Sequence, residues 1–277
     1  RPFTHSRLRF TTGINGTPLG PLSSEQIANG NTSAQTEMNI LTGSSTAAAP
    51  SGNTTVSNNQ ATSMARANVA TNQLTLSAGT MGADVHASLG NKQTNNGAVN
   101  ATTSLSIPAG AATRLDGNIT INGNQATSVA AGNTSLNHLQ ISAGTALNGI
   151  RTMGNPTVLA LDNNQLNNGA VTATTSLNAT GDSRGSALNL SGNIASATAV
   201  GNNAENQVNV STLPGQLMAS ASLTNTQVNT GNVTATVTSD VIANGTANTN
   251  NVSVLGNRSS AFAVCNRASS AMTLGVQ

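Results

Sequence analysis

The stretch Ala126–Gly144, ATSVAAGNTSLNHLQISAG, decides the reading of this chain, because the same order of residue types returns along its length. Upstream, Ala61–Gly79 reads ATSMARANVATNQLTLSAG, so Asn68 and Asn72 fall on Asn133 and Asn137, and Leu74 and Leu76 on Leu139 and Ile141. Downstream the line decays but persists. SATAVGNNAENQVNVS puts Asn202, Asn206, Val208 and Val210 in those places, and SAFAVCNRASSAMTLG puts Asn266, Ser270, Met272 and Leu274 there. A repeat of this kind governs the fold and is read before any single element.

Between these copies lie NKQTNNGAVNATTSLSI from Asn91, NNQLNNGAVTATTSLNA from Asn163 and NTQVNTGNVTATVTSDV from Asn225. Each opens on an Asn pair four apart: Asn91 and Asn95, Asn163 and Asn167, Asn225 and Asn229. A third kind of unit follows, seen in GDSRGSALNLS around Asp182 and in ANGTANTNNVSVL, with Asn244 and Asn248. The anchors are mostly 19 to 23 residues apart. Within a unit, small or apolar residues alternate with polar ones, as at Ser63, Ala65 and Ala67, and then at Leu74 and Leu76. Period two is the signature of strands, and the Asn and Gly between the runs supply turn chemistry.

The expected fold is therefore all-β: a β-solenoid of roughly 20–22-residue strand-turn-strand rungs, with the Asn pairs stacked into hydrogen-bonded ladders. The core positions are Leu74, Leu76, Leu139, Ile141, Val208, Val210, Met272 and Leu274. About 11 or 12 rungs at about 4.8 Å each would give a rod on the order of 55 Å long. The solenoid spans residues 27–277. Residues 1–26 stand apart as an extended N-terminal arm, holding two of the three Phe and three of the seven Pro. In that arm Leu8, Phe10 and Ile14 are apolar anchors suited to pairing with a neighbouring subunit.

Composition narrows function. Of 277 residues only 6% are charged and 1% aromatic, against roughly a quarter charged in ordinary soluble domains. Burial must come from small and β-branched side chains, which suits thin stacked layers. A net charge of +2 offers little self-repulsion, so self-association is expected. Clustered Arg and Lys and stacking aromatics are absent, which argues against nucleic-acid binding. No run of about 20 apolar residues would span a bilayer. Cys265 falls in the small-residue place held by Ala67, Gly132 and Gly201, and reads as a buried structural thiol.

Catalysis needs titratable groups brought together, and the acids Asp162, Asp182 and Glu205 occupy different places in their units. His5, His86 and His138 share no metal-ligand spacing. No nucleotide, hydrolase or calcium-loop motif is present. No enzyme activity, cofactor or metal is expected. Thr-rich runs at residues 100–104, 172–176 and 234–239 are the other patterned surface.

The unit N-x-[LV]-x-[VIL]-S followed by Gly, as in NQLTLSAG, NHLQISAG and NQVNVSTLPG, is similar to curlin repeats. It also resembles the Fap-type functional amyloids and the holdfast attachment proteins of secreted bacterial fibres. Where curlin repeats carry regularly placed Gln, Ser77, Ser142 and Ser211 stand here. The resemblance implies export to the surface of a Gram-negative cell and assembly into fibres for adhesion or biofilm matrix. The expected partner is the chain itself, with a cell-surface anchor or exopolysaccharide as further contacts. The alternative is a monomeric solenoid that binds polysaccharide or ice through its Thr or Asn faces.

Overall fold

The computed structural model describes residues 3–10, 22–41, 52–78, 87–109, 117–143, 159–183, 187–212, 221–245 and 251–276, and the elements in them are all strands. They form four parallel sheets. Sheet A holds β1 (Phe3–Phe10), β5 (Gln60–Ala78), β9 (Gln125–Ala143), β13 (Ile194–Thr212) and β17 (Arg258–Val276), in that order. Sheet B holds β2 (Leu22–Ala28), β6 (Ala87–Asn95), β10 (Leu159–Asn167) and β14 (Ala221–Asn229). Sheet C holds β3 (Thr32–Asn39), β7 (Val99–Ala109), β11 (Val171–Ser183) and β15 (Val233–Gly245). Sheet D holds β4 (Thr54–Ser57), β8 (Ile119–Asn122), β12 (Ala187–Ser191) and β16 (Asn251–Leu255). The chain visits A, B, C and D in turn and returns to A one strand further on, which makes a parallel β-solenoid with stacked Asn ladders.

The coil is longer than the sequence period suggested. Residues bonded between successive coils lie 62 to 72 positions apart, not 20 to 22. The three kinds of unit lie side by side within one coil, and each stacks on its own kind in the next. The amide columns and the residues around them match together only after a full circuit. Stacking a sheet A unit on a sheet B unit would match the Asn pairs but set Ser135 against Gln165 and Leu139 against Gly169. The long step from Asn133 to Asn163 is the link between β9 and β10, which includes residues 144–158.

The proportions follow. Five strands at about 4.8 Å make a stack of only about 20 Å, whereas nineteen residues at about 3.3 Å run about 60 Å. The molecule is a slab rather than a 55 Å rod of a dozen rungs.

Each coil is a flattened loop of two arms. β8 leads into β9 across Gly123 and Asn124, with Gly123 at φ 64°, where glycine avoids the left-handed penalty. β6 leads into β7 across Asn96, Gly97 and Ala98. The arms face each other and run in opposite directions. Asn72 Nδ2 donates to Asn91 Oδ1 at 3.1 Å, Ser63 Oγ to the Thr102 carbonyl at 2.6 Å, and Thr103 Oγ1 to the Thr127 carbonyl at 2.7 Å.

The N-terminal segment belongs to this stack and is not a free arm. Phe3–Phe10 pairs in parallel with Val69–Leu76, so the backbone of Leu8 lies beside Leu74 and that of Phe10 beside Leu76. Leu22–Ala28 pairs with β6, and the solenoid therefore begins before residue 27. Ile14 lies outside the described residues.

Inside the slab, side chains sort along its width. Where the ends of β7 and β11 meet sheet D, Leu105, Ile107, Ile119, Ile121, Leu177, Leu188 and Leu190 form an aliphatic cluster. Next to it the layer is thin and alanine-rich, with Ala65, Ala101, Ala130, Ala173 and Ala197. Beyond that lie buried amides, and then Leu74, Leu89, Leu139 and Leu161, each 1% exposed or less. The alternation in sheet A changes phase once. Ala61, Ser63, Ala65 and Ala67 point inward, then Asn68, Ala70, Asn72 and Leu74 do. At this shift glycine is required in two coils, because a Cβ on Gly132 would stand 2.4 Å from Asn167 Oδ1, and one on Gly201 would stand 2.5 Å from Asn229 Oδ1.

Leu190→Ala should cost about 2–5 kcal/mol in urea unfolding, the usual range for a fully buried leucine. Val254→Ala, at the equivalent position of the half-exposed last coil, should cost under about 1 kcal/mol in the unassembled protein. Equal losses would contradict the assignment of the last coil as an open end.

Candidate assembly interface: amide ladders and the open last coil

Four columns of asparagine run through the slab. In sheet A, Asn68 Nδ2 donates to Asn133 Oδ1, Asn133 to Asn202, and Asn202 to Asn266. Four residues on, Asn72 donates to Asn137 and Asn137 to Asn206, which reaches the Ser270 hydroxyl at 3.3 Å. In sheet B, Asn91 donates to Asn163 and Asn163 to Asn225, while Asn95 donates to Asn167 and Asn167 to Asn229. The Asn-to-Asn distances in these columns lie between 2.6 and 2.8 Å. In each of these Asn-to-Asn bonds the nitrogen points toward the C-terminal coil. A buried amide left without partners costs about 1–3 kcal/mol, so identical neighbours stabilise each other cooperatively.

Two of the predicted ladder positions do not join a column. Asn244 is exposed and pairs in register with Asp182, because the third kind of unit does not repeat its asparagine in sheet C. Asn248 lies outside the described residues.

The structure adds columns that the sequence reading passed over. Gln227 Nε2 donates to Gln165 Oε1, Gln165 to Gln93, and Gln93 to Gln26, in the opposite direction to the asparagines. Each of these glutamines also reaches across to a carbonyl of sheet A, at Arg267, Asn203, Thr134 and Val69. At the turn between sheets D and A, Asn59 donates to Asn124, Asn124 to Asn193, and Asn193 to Asn257. The signals were present: Asn-x-Gln-x-Asn closes each sheet B strand from β6 on, and Gly-Asn recurs at 123–124, 192–193 and 256–257.

Of the predicted core, Leu74, Leu139, Ile141, Val208 and Val210 are buried, and the side chain of Leu76 lies outside the described set. Met272 and Leu274 are 40% and 45% exposed, because β17 is the last strand of its sheet and only β13 covers it. Cys265 is exposed for the same reason, and is not a buried thiol. Of the twelve exposed large apolar side chains among the described residues, eight lie between Val228 and Leu274 in the last coil. Val252, Val254, Met272 and Leu274 occupy inward positions, equivalent to Leu188, Leu190, Val208 and Val210. This face is a cross-section of the core, edged by unpaired backbone groups of β14 to β17. Such an edge is a template for further pairing.

Elsewhere the chemistry is dispersed. Asp162, Asp182 and Glu205 lie on three different sheets, and no group of three metal-ligating side chains occurs among the described residues. His138 meets Asn209 at 3.2 Å, whereas the side chains of His5 and His86 lie outside the described set. A shallow notch of about 270 Å³ over Gly90 is bordered by Ser23, Asp162 and the 2.9 Å Lys92–Glu25 ion pair. Both partners of that pair are more than half exposed, so it contributes little. No described helix is long and apolar enough to cross a membrane.

No protein-family model, curated protein or solved structure matches this chain.

Asn137 accepts from Asn72 and donates to Asn206 and Asn163. Asn137→Ala should therefore lower stability by at least about 2 kcal/mol. Asn168→Ala, in the exposed pair with Asn96, should cost under about 0.5 kcal/mol. Denaturant midpoints check this, and equal effects would mean that the buried columns add nothing beyond their surface counterpart.

Proposed function

We propose that this chain is a structural subunit that stacks on further copies of itself, building an extracellular, β-rich filament for surface adhesion or biofilm matrix. The observation that carries the reading is the open last coil. It exposes inward-facing Val252, Val254, Met272 and Leu274 beside the terminal residues of the ladders, Asn225, Asn229, Gln227, Asn257 and Asn266. Among the described residues no polar cap covers the last coil; such a face favours association, and a chain with so few charges does little to oppose it. The extracellular setting and the adhesive role rest on the resemblance to curlin-like fibre proteins. Self-association is the partner chemistry, with surface anchors or exopolysaccharide as secondary contacts.

The principal alternative is a monomeric module that binds polysaccharide or ice. One observation favours it. Because a coil is one full circuit, the Thr-rich runs stack directly, and Thr102, Thr174 and Thr236 form an outward column on sheet C beside Ser104, Ser176 and Thr238. A regular hydroxyl array of this kind suits a flat, repetitive ligand.

Electron microscopy and fibre diffraction of the purified chain separate the two. Filaments that lengthen with concentration and give a reflection near 4.8 Å along their axis are the expected result. Monodisperse particles at high concentration would overturn the filament and leave the hydroxyl face as the working surface.

A further inference from the structure

The two ends of the slab match each other in a way that ordinary end-to-end contact does not require, and we propose that copies join by strand exchange. In this arrangement β17 of one copy takes the place of β1 on β5 of the next. The proposal rests on the stacking reading above and specifies its joint.

Strand count motivates it. Sheet A has five strands, and sheets B, C and D have four each. An uninterrupted stack of coils needs equal numbers, so one strand of sheet A is in excess at every joint. That strand is β1. It is eight residues long and covers only Val69–Leu76 of the nineteen-residue β5. By contrast, β17 matches β5 residue for residue through β13 and β9: Arg258 with Gln60, Asn266 with Asn68, Ser270 with Asn72, and Met272 with Leu74.

Three features of the N-terminal end have no explanation within one copy, and the exchange accounts for each. First, Asn68 Oδ1 and Asn72 Oδ1 are buried without a hydrogen-bond partner. Their nitrogens donate toward β9, which leaves the oxygens to the other side of β5. Continued in register, the ladder brings Asn266 Nδ2 to the first and the Ser270 hydroxyl to the second.

Second, Gly97, Gly169 and Gly231 are obligatory. A Cβ on each would stand 2.1, 1.9 and 2.1 Å from the carbonyl oxygen of the glycine one coil toward the N-terminus. Gly30 heads the same column, yet a Cβ there would meet nothing within 4 Å, and Gly30 is not among the positive-φ glycines. With β2 stacked on β14 of another copy, the Gly231 carbonyl occupies that space.

Third, β2 carries Ala28 where the later strands of sheet B carry Asn95, Asn167 and Asn229. Asn167 and Asn229 are the side chains that crowd Gly132 and Gly201. In the stack Ala28 follows β17 and leaves room for Cys265 at the place equivalent to those glycines. The same register lays Val254 over Val56, and Gln227 beneath Gln26.

In the unassembled chain β1 then acts as a placeholder on β5, and it must leave before a neighbour can dock. The test compares the full chain before and after assembly. Trypsin cleavage after Arg7 and Arg9 should be at least tenfold faster in filaments than in the unassembled protein, because β1 is released. In parallel, Gly30→Ala should leave the denaturant midpoint of the unassembled protein unchanged and slow filament elongation at least tenfold. Filaments in which Arg7 and Arg9 are equally or better protected would overturn the exchange while leaving simple stacking intact. Normal elongation of Gly30→Ala would overturn the proposed register. A chain that forms no filaments at any concentration would overturn the stacking reading itself, and the exchange with it.

Discussion

The constraint on which the rest of this structure depends is that a buried amide bonds an amide in a neighbouring coil. Asn137 is 0% exposed and its donors and acceptor are consumed by Asn72, Asn206, Asn163 and Ser135. Displacing the coil by one residue would turn these groups toward the opposite face and leave aliphatic side chains in contact with amides. Register is thus set by hydrogen bonding where alanine packing alone would leave it loose. The columns also explain the composition. With the interior width filled by Ala, Ser, Thr and Asn, no aromatic residue is needed, and a nineteen-residue strand can remain flat against its neighbours.

The amide columns have a direction, and this distinguishes the two ends. In the buried columns, asparagine nitrogens point toward the last coil and glutamine nitrogens toward the first. The C-terminal end retains the ladder residues Asn266, Asn225 and Asn229, whereas the N-terminal end has Ser24 and Ala28 at two of the corresponding places. A stack of such units is polar, with every copy facing the same way. A face that repeats the ladder and a face that truncates it are complementary rather than identical, which is the condition for an open, head-to-tail series.

Much of this was legible in the sequence. The Asn pairs at 68 and 72, 133 and 137, and 202 and 206, with aliphatics after them, identified the strands and the stacking residues. The coil length was not, because the units of sheets A and B share the Asn-x-x-x-Asn spacing and differ only in their flanks. Spacing alone cannot distinguish units that neighbour each other across the slab from units that stack; only the matching of whole 62-to-72-residue blocks can. Met272 and Leu274 carry the same pattern as Leu139 and Ile141, and their exposure comes from position in the stack, a property of the whole array that no local motif records. Cys265 was misread for the same reason.

The coil length is the claim on which everything else rests, and it can be measured inside a single molecule by paramagnetic resonance. In a Cys265→Ser background, nitroxides on cysteines at Thr102 and Thr174 sit on directly paired outward positions one coil apart, about 5 Å between strands. Nitroxides at Asp162 and Asp182 are separated by twenty residues of the same coil, on the order of 60 Å. Strong dipolar broadening for the first pair and none for the second is the expected result. Broadening confined to the second pair would mean that the chain returns on itself every twenty residues, and would contradict the four-sheet coil.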